Sequence, residues 1–277
     1  MTESPVQNVP PSGPRRRKPP RRTTVTSVSK IGPRLVSVLV TGDELDGFAG
    51  AAPTSHLKLF LPPGGAGTRL LLPEQGPDGS QVWNHDESQR PVVRTYTPRR
   101  YDAATKTLEI QLVLHGEGPA SAWAEEVKAG DEVGVGGPGG RFVLDEGVTH
   151  WWIAGDESAL PAVGTLLDAL PPTATADVHL EVQDADDVIK LPSVATVNVT
   201  WHHRYDSGDY GAALEAAVRD AEFEEGARIW VACESGTMRD IRRHLTRQRA
   251  IPLSQLITRG YWRLGESNHP DHDYGED

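Results

Sequence analysis

The chain changes texture at Gly147, and that change limits its fold more than any other feature. Before it, apolar residues recur with period two in short runs: Val25 and Val28, Leu35 to Val40, Leu57 to Leu61, Val92 to Thr97, Leu108 to Leu114 and Glu132 to Val135. Turn signals such as Gly32-Pro33, Gly42-Asp43 and Pro62-Pro63-Gly64-Gly65 separate them. Short strands at this spacing predict a small antiparallel barrel. One helix is predicted inside it, Ala120 to Val127, started by Pro119 and stopped by Gly130. After Gly147, the apolar runs His150 to Ala154, Val178 to Val182, Val197 to Trp201 and Ile229 to Ala232 alternate with helical patterns over Ala159 to Leu170, Gly211 to Glu222 and Met238 to Gln248. That rhythm predicts a parallel sheet covered by helices. The expected organisation is an antiparallel six-stranded β-barrel over 23–146, then a Rossmann-like α/β domain over 147–265, with tails at 1–22 and 266–277.

The length of 277 residues fits two domains. Charge is uneven. Residues 1–22 hold Arg15, Arg16, Arg17, Lys18, Arg21 and Arg22 against Glu3, so a net charge of -11 leaves the remainder at -16. A body that acidic repels a phosphate backbone, so no nucleic acid is expected on the folded part, and the Pro-rich basic tail reads as a disordered arm. The acidic end from Glu266 reads as frayed unless something docks it. No apolar run nears the ~20 residues of a membrane helix, and none follows the N-terminal arginines as in a secretion signal. The single cysteine, Cys233, rules out an intramolecular disulfide and fits a reducing cytoplasm. A monomer with no metal site is expected.

Four stretches could carry chemistry. In Arg94-Thr95-Tyr96-Thr97-Pro98, an arginine two residues before a tyrosine on a strand shares its face, presenting a cation for a diphosphate beside a ring for a flat heterocycle. An ordinary surface arginine on a half-exposed strand is the competing reading. In His115-Gly116-Glu117-Gly118-Pro119-Ala120-Ser121-Ala122-Trp123, small residues lead into a helix whose N-terminal amides suit a phosphate, although each part also reads as ordinary packing and capping. Gly155-Asp156-Glu157-Ser158 joins the first strand of the second half to its first helix, where open α/β sheets bind dinucleotides. It is acidic and glycine-poor, and a structural capped turn competes. Gly260-Tyr261-Trp262-Arg263-Leu264-Gly265 places two aromatics between Arg259 and Arg263, or simply packs a last strand.

In this order the motifs R-T-Y-T-P, H-G-E-G-P-A-S-A-W, A-G-D-E-V-G-V-G-G-P-G-G, G-D-E-S-A-L-P-A and G-Y-W-R-L-G resemble those of the siderophore-interacting protein family, FAD-dependent ferric-siderophore reductases of the ferredoxin-NADP reductase-like group. The resemblance spans roughly 23–265. It implies that the barrel binds FAD, with Arg94 on the diphosphate, Thr95 beside it, Tyr96 on the flavin and Thr97, the catalytic candidate, near the reactive edge of the ring. It further implies that Val113, Leu114 and His115 bracket the cofactor and that Gly118, Ala120 and Ser121 offer amides to phosphate. Tyr261 and Trp262 would lie beside the flavin or the adenine. Lys58 matches a position of the basic pocket for the iron chelate, with Arg141, Arg259 and Arg263 as nearby candidates. Gly139 stands where some relatives carry a basic residue.

The implied reaction is reduction of chelated Fe(III) to Fe(II), which oxygen-donor chelators hold far less tightly. Asp184, Asp186 and Asp187 follow the second strand of the second half, where an acid meets a ribose hydroxyl and repels a 2′-phosphate, which favours NADH over NADPH. The acidic turn at Gly155 keeps reduced ferredoxin open as donor. A non-enzymatic ferric-chelate-binding or partner-docking module with the same two-domain shell is the alternative from another class.

Overall fold

The computed structural model of the chain describes residues 18–48, 51–78, 80–116, 118–140, 142–145, 147–207, 209–270 and 274. The first half carries β1 (Arg21–Gly32), β2 (Leu35–Thr41), β3 (His56–Leu61), β4 (Glu74–Gln75), β5 (Gln81–Val82), β6 (Val92–Tyr96), β7 (Pro98–Asp102), β8 (Thr107–Val113), α1 (Pro119–Glu126) and β9 (Glu132–Gly139). All but the small β4–β5 pair form one antiparallel sheet in the order β6-β3-β9-β1-β2-β8-β7.

The alternation read from the sequence is the alternation of burial. In β8, Leu108, Ile110 and Leu112 point into the core while the alternate residues lie on the other face, less buried. α1 lays Ala120, Trp123 and Ala124 onto the same core, each large apolar side chain stabilising the fold by roughly 1.5–3 kcal/mol.

The expected closed six-stranded barrel is corrected. The sheet has seven strands, and its ladder does not close: β6 and β7 lie at opposite edges, linked along the chain through Thr97. β7 was concealed because Pro98 gives no N–H, Arg99, Arg100 and Asp102 supply charge rather than apolar period, and the pairing with β8 slips between Pro98 and Arg100. The boundary expected at residue 22 also falls inside β1, where Arg21 and Arg22 pair with Val135 and Gly134. The rest of the basic arm, residues 1–17, lies outside the described residues.

The second half carries β10 (His150–Asp156), α2 (Leu160–Ala169), β11 (Thr175–Val182), β12 (Thr196–His203), α3 (Arg204–Ser207), α4 (Ala212–Asp220), β13 (Arg228–Glu234), α5 (Ser235–Arg243) and β14 (Leu256–Trp262). Its sheet is parallel throughout, ordered β12-β11-β10-β13-β14. β10 is central, so it is apolar on both faces. Val163, Leu166 and Leu167 of α2 cover one side, and Leu214, Val218, Met238 and Ile241 of α4 and α5 the other. The chain runs outward from β10 to β12 and returns to β13, which puts a topological switch point at the C-terminal ends of β10 and β13.

The halves are joined by packing and polar contacts. Leu35 and Val113 pack into the α2-side core. Arg99 of β7 reaches Asp168 at 2.5 Å across Gly164, where an added Cβ would lie 2.8 Å from its Nε. Beyond β14 the carbonyl of Tyr274 accepts from Thr258 Oγ1 at 2.7 Å.

Candidate functional site

Register fixes the faces of the Arg94–Tyr96 strand. Leu59 lies opposite Arg94 and Leu57 opposite Tyr96, so these two side chains share the face of the buried leucines. Lys58 lies opposite Thr95 on the other face and donates to its Oγ1 at 2.7 Å. Tyr96 packs against the first core, and burial pushes its phenol up to about 12 against the opposing charge of Arg94. Arg94 spends only Nη1, on the Val93 carbonyl at 2.9 Å, among the contacts described. Thr97 is buried at the crossing from β6 to β7.

α1 packs against both β6 and β8. Its N-cap is Gly118, at φ 82°, with no side chain capping the first turn and Pro119 directly after it. Gly116, at φ 75°, makes the preceding bend in the left-handed region that glycine alone adopts without penalty. Ala120 and Ser121 are buried, and Ser121 Oγ accepts the His115 N–H at 3.1 Å, tying the strand end to the helix start. The imidazole of His115 is exposed. The Leu114 N–H bonds the Arg34 carbonyl at 2.8 Å, and Val113 faces the second half.

These residues fit a flavin nucleotide. An uncapped helix start bordered by glycines offers amide donors to a diphosphate, a guanidinium with unspent donors lies on a strand that the helix packs against, and a neutral phenol ring lies two residues further on.

At the switch point the structure differs from an open dinucleotide cradle. The buried Asp156 carboxylate collects four donors: Ser158 N–H at 3.0 Å and Ser158 Oγ at 2.5 Å on Oδ1, then Glu234 N–H at 2.9 Å and Trp262 Nε1 at 2.7 Å on Oδ2. It ties together the ends of β10, β13 and β14. Trp262 is thereby held edge-on to Tyr210, ring centroids 5.1 Å apart. Tyr261 packs on the opposite, α2-side core, where burial pushes its phenol up. So the two aromatics are separated by the strand, and no single ring site collects both.

Burial, then the charge of Glu157, pushes the Asp156 carboxyl up to about 7, against the pull of its donors. The folded state therefore holds a proton that the unfolded chain has lost above about pH 4, and stability falls as pH rises from there to about 7. The substitution Asp156→Asn turns an NH2 toward one of these donors and lowers the melting temperature throughout. Its melting temperature should also fall less than the wild type's between those pH values; an equal slope would remove Asp156 as the cause.

The expected basic pocket is only partly assembled. Arg259 lies under the Tyr274 ring, 4.3 Å from its centroid, and Arg263 pairs with Glu266 at 3.2 Å. Both are thus engaged with the C-terminal segment, while Lys58 lies on the other sheet. Arg141 falls outside the described residues. One feature is not evident in the sequence: the His56 ring fills the space beside Gly139, where an added Cβ would meet its Nε2 at 2.5 Å, on the same face as Lys58. The bare Gly136–Gly140 run was the available signal.

Comparison with known proteins places the two halves. The siderophore-interacting FAD-binding domain matches residues 24–142, and the siderophore-interacting protein family matches 148–265. The chain is 31% identical to the ferric vibriobactin reductase ViuB of Vibrio cholerae, over 92% of this chain and 93% of that one. It is 28% identical to an NADPH-dependent ferric-chelate reductase of Escherichia coli, over 87% and 92%. A siderophore utilization protein from T. fusca superposes with a TM-score of 0.80 at 30% identity, covering 91% and 96%. A ferredoxin reductase of a carbazole dioxygenase system, at 18% identity and a TM-score of 0.60, shares the fold.

Proposed function

Because the chain belongs to the siderophore-interacting protein family, we propose that it is an FAD-dependent ferric-siderophore reductase, drawing electrons from NADPH or NADH and releasing iron as Fe(II). The observation that carries this reading is the uncapped start of α1 packed against the strand of Arg94 and Tyr96. Bound FAD would supply the exchange between a hydride donor and a one-electron acceptor, which no side chain provides.

The protein's part is to bind and orient. Arg94 would hold the diphosphate with its unspent fork, Ala120 and Ser121 would offer it their amides at the bend of Gly118, and Val113, Leu114 and His115 would border it. Tyr96 would pack on the flavin, with Thr95 on the same strand, and Thr97, the catalytic candidate, would stand near its reactive edge. Lys58 would attract an anionic ferric chelate locally despite the acidic body, with Arg141, Arg259 and Arg263 kept as further candidate cations. No general acid or nucleophile is required, since the chelator's preference for Fe(III) itself drives release once an electron is added.

A domain boundary at 146/147, a monomeric state and a cytoplasmic location belong to the same reading. The test is an anaerobic assay of Fe(II) formation from catecholate, hydroxamate and citrate-type chelates, using NADPH, NADH or reduced ferredoxin. A yellow protein that forms Fe(II) with at least one chelate supports it. A colourless protein that takes up no FAD leaves the chelate-carrying or partner-docking alternative.

A further inference from the structure

Asp184 and Asp187 look in the sequence like acids awaiting a ribose, but both are already engaged by a residue from the other half. Arg34, in the turn between β1 and β2, donates through Nη1 to Asp187 Oδ2 at 2.5 Å and to Asp184 Oδ2 at 3.0 Å. Asp184 also accepts the Asp186 N–H on Oδ1, at 3.0 Å. Asp187 is buried, whereas the Arg34 side chain keeps 41% of its surface exposed. Its backbone is fixed by the bond from Leu114 N–H to its carbonyl.

The contacts use one nitrogen of the fork. Nη2 and Nε of Arg34 hold no hydrogen bond among the described residues, although a guanidinium carries five N–H donors. The cavity beneath, lined by Gly32, Leu35, Glu157, Gln183 and Asp187, measures about 20 Å³, too small for a nucleotide. Any phosphate must therefore meet the fork from its exposed side.

In doubly wound sheets the end of the second strand is where NADH and NADPH are told apart, an acid accepting from the ribose hydroxyl and an arginine accommodating the 2′-phosphate. The pair is present here, but its members come from different domains and neutralise one another. We infer that Arg34, reaching from the first domain, is the residue that admits a 2′-phosphorylated nucleotide, by offsetting Asp184 and Asp187 and offering its unspent donors. This rests on the reductase reading above and corrects the preference for NADH drawn from the aspartates alone.

The test measures binding rather than turnover, with 2′,5′-ADP and 5′-AMP titrated calorimetrically into flavin-replete protein. In Arg34→Ala the ratio of 2′,5′-ADP affinity to 5′-AMP affinity should drop tenfold or more, the scale of one charge-assisted phosphate contact. In Asp187→Asn, which leaves Arg34 with less opposing charge, the ratio should rise, so the inference does not rest on one variant folding. Equal changes for both ligands, an unchanged ratio, or a wild type that binds neither would overturn it. Reduction of a ferric chelate by the dithionite-reduced protein is independent of this subsite. Loss of that reaction would count against the reductase reading, and its survival with an unchanged ratio would count against Arg34 alone.

Discussion

Arg94→Ala protein is expected to purify without its yellow colour and to take up added FAD at least 10²-fold more weakly than the wild type. The size follows from the contact it removes. Each hydrogen bond from a guanidinium to a diphosphate oxygen contributes about 1.5–3 kcal/mol, and a fork makes two of them. Arg94 is placed to give them because its only described side-chain bond is to the adjacent Val93 carbonyl. Folding should survive, since Leu59, its cross-strand neighbour, is buried without help from the guanidinium. Arg94→Lys retains a point charge and loses the planar fork, so its affinity should fall between the two. The measurement is flavin-to-protein absorbance after dialysis against FAD, with a dissociation constant from fluorescence quenching. Wild-type stoichiometry and affinity in the alanine variant would move the diphosphate away from β6.

What the sequence disclosed about the fold and the candidate site was local. The break at Gly147 was legible because burial imposes a period of two on half-covered strands and a continuous apolar run on a central one such as β10. α1 was legible because Pro119 and Gly130 punctuate it, and the shared face of Arg94 and Tyr96 because side chains alternate along any strand. β7 was not, since its pairing with β8 rescues a proline and two arginines that carry no strand signal of their own. The same limit governed the site. Asp156 read as a turn acid, but its partner Trp262 is 106 residues away; Arg34 lies 153 residues from Asp187. Polar contacts at such separations depend on how sheets stack, which periodicity does not encode. The aspartates after β11 show the consequence: pattern puts them at the end of the second strand, but not the distant Arg34 that pairs with Asp184 and Asp187.

Arg204→Leu should destabilise the protein by about 3–5 kcal/mol, the usual cost of leaving buried charges without their partner. Arg204 is 6% exposed and bonds Glu157 through Nη1 at 2.8 Å and also through Nη2, reaches Glu181 at 3.3 Å, and lies 4.5 Å from the centre of the Tyr210 ring. Burial works against its charge, yet the two carboxylates hold its pKa above the ordinary value. Among the described residues Glu181, fully buried, otherwise accepts only from the Gly211 N–H, at 2.9 and 3.1 Å, and burial already pushes its carboxyl up. Without Arg204 that rise must grow, so the folded variant binds a proton that the unfolded chain releases above its ordinary range near pH 4. Stability is then lost as pH rises through the raised value, and the deficit relative to wild type should be smaller at about pH 5 than at about pH 7. Adding Glu181→Gln to Arg204→Leu removes one uncompensated charge while keeping an acceptor for Gly211, and should recover part of the loss at the higher pH. Urea melts of the three proteins at both pH values decide it. A deficit that stays constant or grows on acidification would mean that Arg204 serves there as packing against Tyr210, with its charge contributing nothing to the ends of β10, β11 and β12.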